Sequence, residues 1–136
     1  MKLEKAELDI AMNIAKRQAG SSPDEFKQVG CVALDSEGVL IAQGFNNMGQ
    51  KPDDPIKLDR EARRDLVIHA EIAMSRTLLP SEAVTVVATL FPCVHCMTLL
   101  ASYGVKTLYY EEIYDKDIPA KRVAEFHGIT CIQYTR

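Results

Sequence analysis

From Ala83 to Val105 the chain runs 23 residues without an Asp, Glu, Lys or Arg. No other feature limits the possible folds as much. A bilayer is spanned by about 20 apolar residues, so such a stretch either crosses a membrane or lies at the heart of a folded core. Pro92 and Gly104 interrupt it, and Thr, Ser, His and Cys are scattered through it. That composition suits a buried strand followed by a buried helix. The segment is read as core, with polar chemistry at Cys93-Val94-His95-Cys96 in its middle.

The flanking pattern is regular. Leu3 to Ala19 carries apolar residues at helical spacing and is stopped by Gly20-Ser21-Ser22-Pro23. Val29–Leu34 and Val39–Ala42 are β-rich runs separated by Asp35-Ser36-Glu37-Gly38, which predicts an antiparallel hairpin. A polar excursion, Gly44 to Asp65, follows, long enough to suggest a functional connection. Beyond it the pattern predicts a helix from His69 to Leu79, a strand from Val84 to Leu90 and a helix from Cys93 to Ser102. A strand from Val105 to Tyr110, a helix from Pro119 to Phe126 and a strand from Ile129 to Tyr134 complete the alternation. Pro80, Gly104 and Gly128 fall where helices should end. Alternating helices and strands imply a parallel sheet with right-handed crossovers, extended by the antiparallel hairpin. The expectation is a single α/β domain over residues 1–136, a mixed sheet of about five strands between helices in three α/β/α layers.

Composition narrows the function. The 136 residues carry sixteen Lys+Arg against nineteen Asp+Glu, a formal charge of −3. That balance lacks the basic excess by which proteins hold a phosphate backbone, so no stable nucleic-acid partner is expected. Acidic residues in Met1-Lys2-Leu3-Glu4-Lys5-Ala6-Glu7 break the apolar run a secretory peptide needs. A cytoplasmic protein without a membrane partner is expected.

Of Cys31, Cys93, Cys96 and Cys131, only the middle two have the two-residue gap that lets both sulfurs reach one metal ion. Alone, Cys93-Val94-His95-Cys96 fits a zinc site and a redox pair equally. His69-Ala70-Glu71, at the start of the preceding helix, favours zinc. Helices that follow parallel strands start at one sheet edge, so His69, Cys93 and Cys96 can converge there. Three protein ligands leave a fourth position for water, which then ionises near neutral pH instead of near pH ~16. Glu71, about 200° around a helix from His69, is expected to stay off the metal and handle protons. Cys31 and Cys131 are expected to be small buried hydrophobes, and His95 and His127 surface or capping residues.

His69-Ala70-Glu71 with Pro92-Cys93-Val94-His95-Cys96 resembles the His-x-Glu and Pro-Cys-x-x-Cys signature of the zinc-dependent nucleobase deaminases. Further segments resemble the deoxycytidylate (dCMP) deaminase family: Gln28-Val29-Gly30-Cys31-Val32, Gly44-Phe45-Asn46-Asn47, Val67-Ile68-His69-Ala70-Glu71, Thr89-Leu90-Phe91-Pro92-Cys93 and Tyr110-Glu111-Glu112-Ile113-Tyr114-Asp115. The 22 residues between Asn46 and His69 fit this family better than the tRNA adenosine and guanine deaminases. His69, where nucleoside cytidine deaminases carry cysteine, points the same way. The chain departs at Asn47-Met48-Gly49, where the family's turn continues Asn-Gly-x-Pro, and at Ala73, where an asparagine is usual.

The resemblance implies a cytidine deaminase-like fold and hydrolytic deamination of dCMP to dUMP and ammonia, supplying dUMP for dTMP synthesis. It implies one catalytic zinc on His69, Cys93 and Cys96, with Glu71 passing a water proton to N3 and then to the leaving amine. Asn46, Ala70, Lys27 and Tyr114 are the implied substrate-binding residues, Lys27 and Tyr114 for the phosphate. Arg60, Arg63 and Arg64 alternate with Asp59, Glu61 and Asp65 and are read as a solvated helix face. A homo-oligomer, a hexamer, is implied, with Mg²⁺ and a regulatory deoxynucleoside triphosphate as the allosteric effector. The competing readings are a tRNA adenosine or a free-base or nucleoside deaminase of the same superfamily, and a catalytically silent regulatory or redox module. Glu71 argues against silence, since a structural zinc does not need it.

Overall fold

A computed structural model of the chain describes residues 2–24, 26–49, 66–114 and 118–135. Its elements are α1 (Lys5–Ala19), β1 (Gly30–Leu34), β2 (Leu40–Phe45), α2 (Ala70–Ser75), β3 (Thr85–Leu90), α3 (Val94–Ser102), β4 (Thr107–Glu112), α4 (Ile118–His127) and β5 (Thr130–Gln133). The five strands form one sheet in the order β2-β1-β3-β4-β5. β1 is antiparallel to both β2 and β3, and the β3-β4 and β4-β5 pairs are parallel. This is the mixed five-stranded sheet the alternation implied.

Strand alternation builds two cores. Val32, Leu34, Val87 and Tyr109 pack with Leu8, Met12 and Ala15 of α1 on one face. Cys31, Ala33, Val86 and Ala88 pack on the other with residues of α2, α3 and α4 such as Met74, Leu100 and Ala124. β3, flanked on both sides, is buried from Thr85 to Thr89, as its unbroken apolar run requires. The uncharged stretch is thus the central strand and the helix behind it.

Two glycines let helices settle on opposite faces. A Cβ on Gly30 would stand 2.0 Å from the Ala15 carbonyl of α1, and one on Gly44 would stand 2.6 Å from the Met74 nitrogen of α2. The hairpin turn forms as its residues suggest, Asp35 Oδ1 accepting from the Glu37 and Val39 amides and Gly38 at φ +82°.

Three boundaries move. β2 runs on to Phe45, because Gly44 is a packing glycine inside the strand and not a turn residue. β4 spans Thr107–Glu112, two residues later than expected. α2 ends at Ser75, well short of Leu79; Ser75 Oγ turns back on the Ile72 carbonyl at 2.8 Å, and Leu79, preceding Pro80, is disfavoured in a helix. Cys31 is fully buried, but Cys131 is only partly so because β5 is an edge strand.

Candidate active site

Because β1 is antiparallel to both its neighbours, β2 and β3 point the same way and their carboxyl ends share one edge of the sheet. There the chain leaves β2 through Asn46 and Asn47. Asn47 forms a two-bond bridge with Ile68, at 3.0 and 2.8 Å, which pins the returning chain one residue before His69. His69 is the N-cap of α2, with φ −68° and ψ 152°. Cys93 is the N-cap of α3, with φ −68° and ψ 172°, and Cys96 lies in the first turn of that helix.

The three side chains converge. His69 Nδ1 lies 3.6 Å from Cys93 Sγ and 3.3 Å from Cys96 Sγ, and all three atoms fall within 4.8 Å of one another. Tetrahedral zinc, with Zn–N near 2.05 Å and Zn–S near 2.3 Å, requires an N···S separation of ~3.6 Å. The donor set and its spacing fit the ion. Among the described residues this is the sole group of three such side chains placed to hold a metal.

Glu71 is buried beside this cluster, 3% exposed. Burial pushes its carboxyl up from the ordinary carboxylate range, opposed by its backbone hydrogen bond and by His69. Its carboxylate acts electrostatically on the Cys96 thiol, which it raises, and on Cys93 and His69, so it stands beside the three side chains. His69 is an extended N-cap and not a helical residue, so a helical rotation does not describe its relation to Glu71, and Glu71 is not among the three side chains grouped to hold a metal. The hydrogen bond from Cys96, joined by one from His69, lowers the Cys93 thiol to about 3 despite partial burial. Cys96 is raised by that same thiolate and by its own burial.

The expected substrate-binding residues lie around this edge. Asn46 is buried and its amide is heavily engaged: Oδ1 accepts from the Val29 amide at 2.8 Å, and Nδ2 donates to the Lys27 carbonyl at 2.8 Å and to Asp24 Oδ2 at 3.4 Å. It thereby clamps Asp24, Lys27 and Val29 onto the end of β2, leaving one acceptor lone pair of its four bonding positions for a ligand. Lys27 pairs with Glu112 at 2.5 Å. Ala70 is buried under Gly44 at the start of α2, and Tyr114 is exposed beyond β4. His95 is exposed between the cysteines, and His127 is exposed in the last turn of α4. Asp24, which also accepts from the Phe26 and Lys27 amides at 2.7 and 2.9 Å, and Glu112 were not singled out from sequence. Their partners lie 22 and 85 residues away, beyond any local signal. Arg60, Arg63, Arg64, most of the Gly44–Asp65 excursion and Asp115 lie outside the described residues.

The fold matches solved structures. With the dCMP deaminase of cyanophage S-TIM5, in complex with dCMP and dUMP, the chain superposes at a TM-score of 0.83, 20% identical, covering 98% of this chain and all of that one. The architecture is therefore the cytidine deaminase-like α/β/α fold. Residues 2–112 match the family model described as the cytidine and deoxycytidylate deaminase zinc-binding region. A probable deoxycytidylate deaminase of Caenorhabditis elegans is 33% identical over 112 residues, 77% of this chain and 57% of that protein. The human deoxycytidylate deaminase is 28% identical over 132 residues, 88% of this chain and 74% of that protein. The chain belongs to the cytidine and deoxycytidylate deaminase family, and spans little more than half the length of its nematode relative.

Proposed function

We propose that this chain deaminates dCMP hydrolytically, dCMP and water giving dUMP and ammonia. The observation that carries the reading is one constellation: His69 Nδ1 with Cys93 and Cys96 Sγ within 4.8 Å, and a buried Glu71 beside them. His69, Cys93 and Cys96 would hold zinc, which when bound supplies a Lewis acid that lowers the pKa of a water in its open position. Two sulfurs and a neutral imidazole balance the charge of the ion. Glu71 would take one proton of the attacking water and deliver it to N3 of the cytosine, then take the second from the hydroxyl formed at C4 and give it to the leaving amine as the C–N bond breaks. A carboxyl raised by burial suits both directions of transfer, since its proton affinity lies nearer to neutral pH.

Around the ring, the remaining acceptor of Asn46 and the backbone at Ala70 contact sugar and base, and Lys27 and Tyr114 meet the phosphate. The preference for dCMP draws on the names of the relatives and on the cation at Lys27. Residues 1–136 act as one deaminase domain in this reading. Assembly as a homo-hexamer, regulation by a deoxynucleoside triphosphate with Mg²⁺ and a cytoplasmic location rest on the family resemblance. Among the described residues no helix is long and apolar enough to cross a membrane.

Ammonia release from dCMP, deoxycytidine and a tRNA anticodon stem, assayed in parallel on zinc-loaded protein, tests the reading. The expected result is catalytic efficiency on dCMP at least ~10²-fold above deoxycytidine, the discrimination of a site built around a group its analogue lacks. Equal rates on nucleotide and nucleoside overturn the substrate, and activity on the tRNA stem alone moves the protein to the editing deaminases.

A further inference from the structure

The rim of the site carries an ion pair that the chemistry above does not use. Lys27 is fixed at its backbone from both sides: its amide donates to Asp24 Oδ1 and its carbonyl accepts from Asn46 Nδ2. Only its side chain can reorganise, and the ammonium sits on Glu112 Oε2. Glu112 is the last residue of β4, in register with Leu90 of β3, and its carbonyl accepts the Phe91 amide at 2.8 Å. Phe91 stands two residues before Cys93, so the carboxylate is anchored to the strand end that leads into the cysteine pair.

Resting on the dCMP reading above, we propose that Glu112 is a specificity-determining residue: it holds the Lys27 ammonium in competition with the substrate phosphate, so that a dianionic ligand takes Lys27 over and a neutral one does not. Both side chains are more than one-third exposed, and such pairs shift an equilibrium by at most about fivefold. A phosphate monoester carries close to two charges and three strong acceptors at neutral pH, enough to outcompete one carboxylate. The Glu112 carboxylate acts through its hold on the ammonium, which a dianion must break in order to bind. Its removal at constant shape therefore strengthens dianion binding.

The test uses zinc-loaded wild type, Glu112→Gln, Lys27→Met and the double variant. kcat and KM are measured on dCMP and deoxycytidine at ~20 mM and ~500 mM salt, where screening lengths differ several-fold. Inorganic phosphate binding is measured by calorimetry on the same proteins. Glu112→Gln is expected to lower the KM for dCMP relative to that for deoxycytidine by about two- to fivefold at low salt, and by less at high salt. Phosphate binding should tighten by a similar factor. The double variant should match Lys27→Met in both assays, because the carboxylate acts through the lysine. A higher KM for dCMP in Glu112→Gln overturns the competition and makes Glu112 a support for Lys27. Equal shifts on dCMP and deoxycytidine, unchanged phosphate binding, or an effect that persists without Lys27 also overturn it. If the wild type leaves dCMP untouched while phosphate binding tightens in Glu112→Gln and disappears in Lys27→Met, the dCMP reading falls and the competition for Lys27 stands.

Discussion

Replacing Gly44 by alanine should damage the metal site, because Gly44 faces α2 on the same side of the sheet as the cysteines. The added Cβ would lie 2.6 Å from the Met74 nitrogen and 2.7 Å from the Ala70 carbonyl, both backbone atoms of α2. Ordinary contact begins at 3.4 Å, so α2 must retreat by about 0.8 Å. Overpacking of this kind costs about 1–3 kcal/mol of stability. The retreat also carries His69 and Glu71, at the start of that helix, away from Cys93 and Cys96 on α3. Metal–ligand distances tolerate only ~0.2 Å, and disturbing a ligand's support costs at least ~10-fold in metal affinity. Zinc affinity measured by competition with a chromogenic chelator, alongside denaturant unfolding, reads both effects. Gly30→Ala is the control: its Cβ would strike α1 at 2.0 Å, on the face without the cysteines. It should lose stability but keep normal zinc affinity in the folded fraction. Gly44→Ala with zinc affinity within twofold of wild type would refute the coupling of α2 packing to the site.

Cys93→Ala should lose the equivalent of zinc that Cys31→Ala retains, and should unfold at lower temperature, because the ion ties two helix starts together; elemental analysis and thermal melts check both. Asn46→Ala strips partners from the Val29 amide and the Lys27 carbonyl and should cost about 2 kcal/mol, the scale of a buried polar group left unsatisfied. Asn46→Asp should cost more at neutral pH, since its carboxylate would face the Lys27 carbonyl and Asp24. Urea midpoints at unchanged m-value rank the two.

The chemistry was legible in the sequence because its signals are local: His69 and Glu71 sit two apart, Cys93 and Cys96 three apart, and parallel topology brings the two segments to one edge. The α/β/α architecture followed from alternating periodicities. The misjudged features depend on contacts distant in sequence. Gly44 looks like a turn until α2 is found resting on it, and Glu112 looks like surface charge until Lys27 is found upon it. The clamp of Asn46 on Asp24, Lys27 and Val29 has no local signal because it joins segments about twenty residues apart. The early end of α2 follows from Ser75 and Pro80 acting together, where periodicity alone carries the helix to Leu79.

The central claim is that a metal held by His69, Cys93 and Cys96 works with Glu71 as the proton carrier. Glu71→Gln separates the two parts, because the amide preserves shape and hydrogen bonding but cannot shuttle a proton. Zinc content and dCMP turnover measured on the same purified sample should give a full equivalent of zinc with turnover reduced by at least ~100-fold, the scale of a general acid–base group. Near-normal turnover in that zinc-loaded variant would contradict the account.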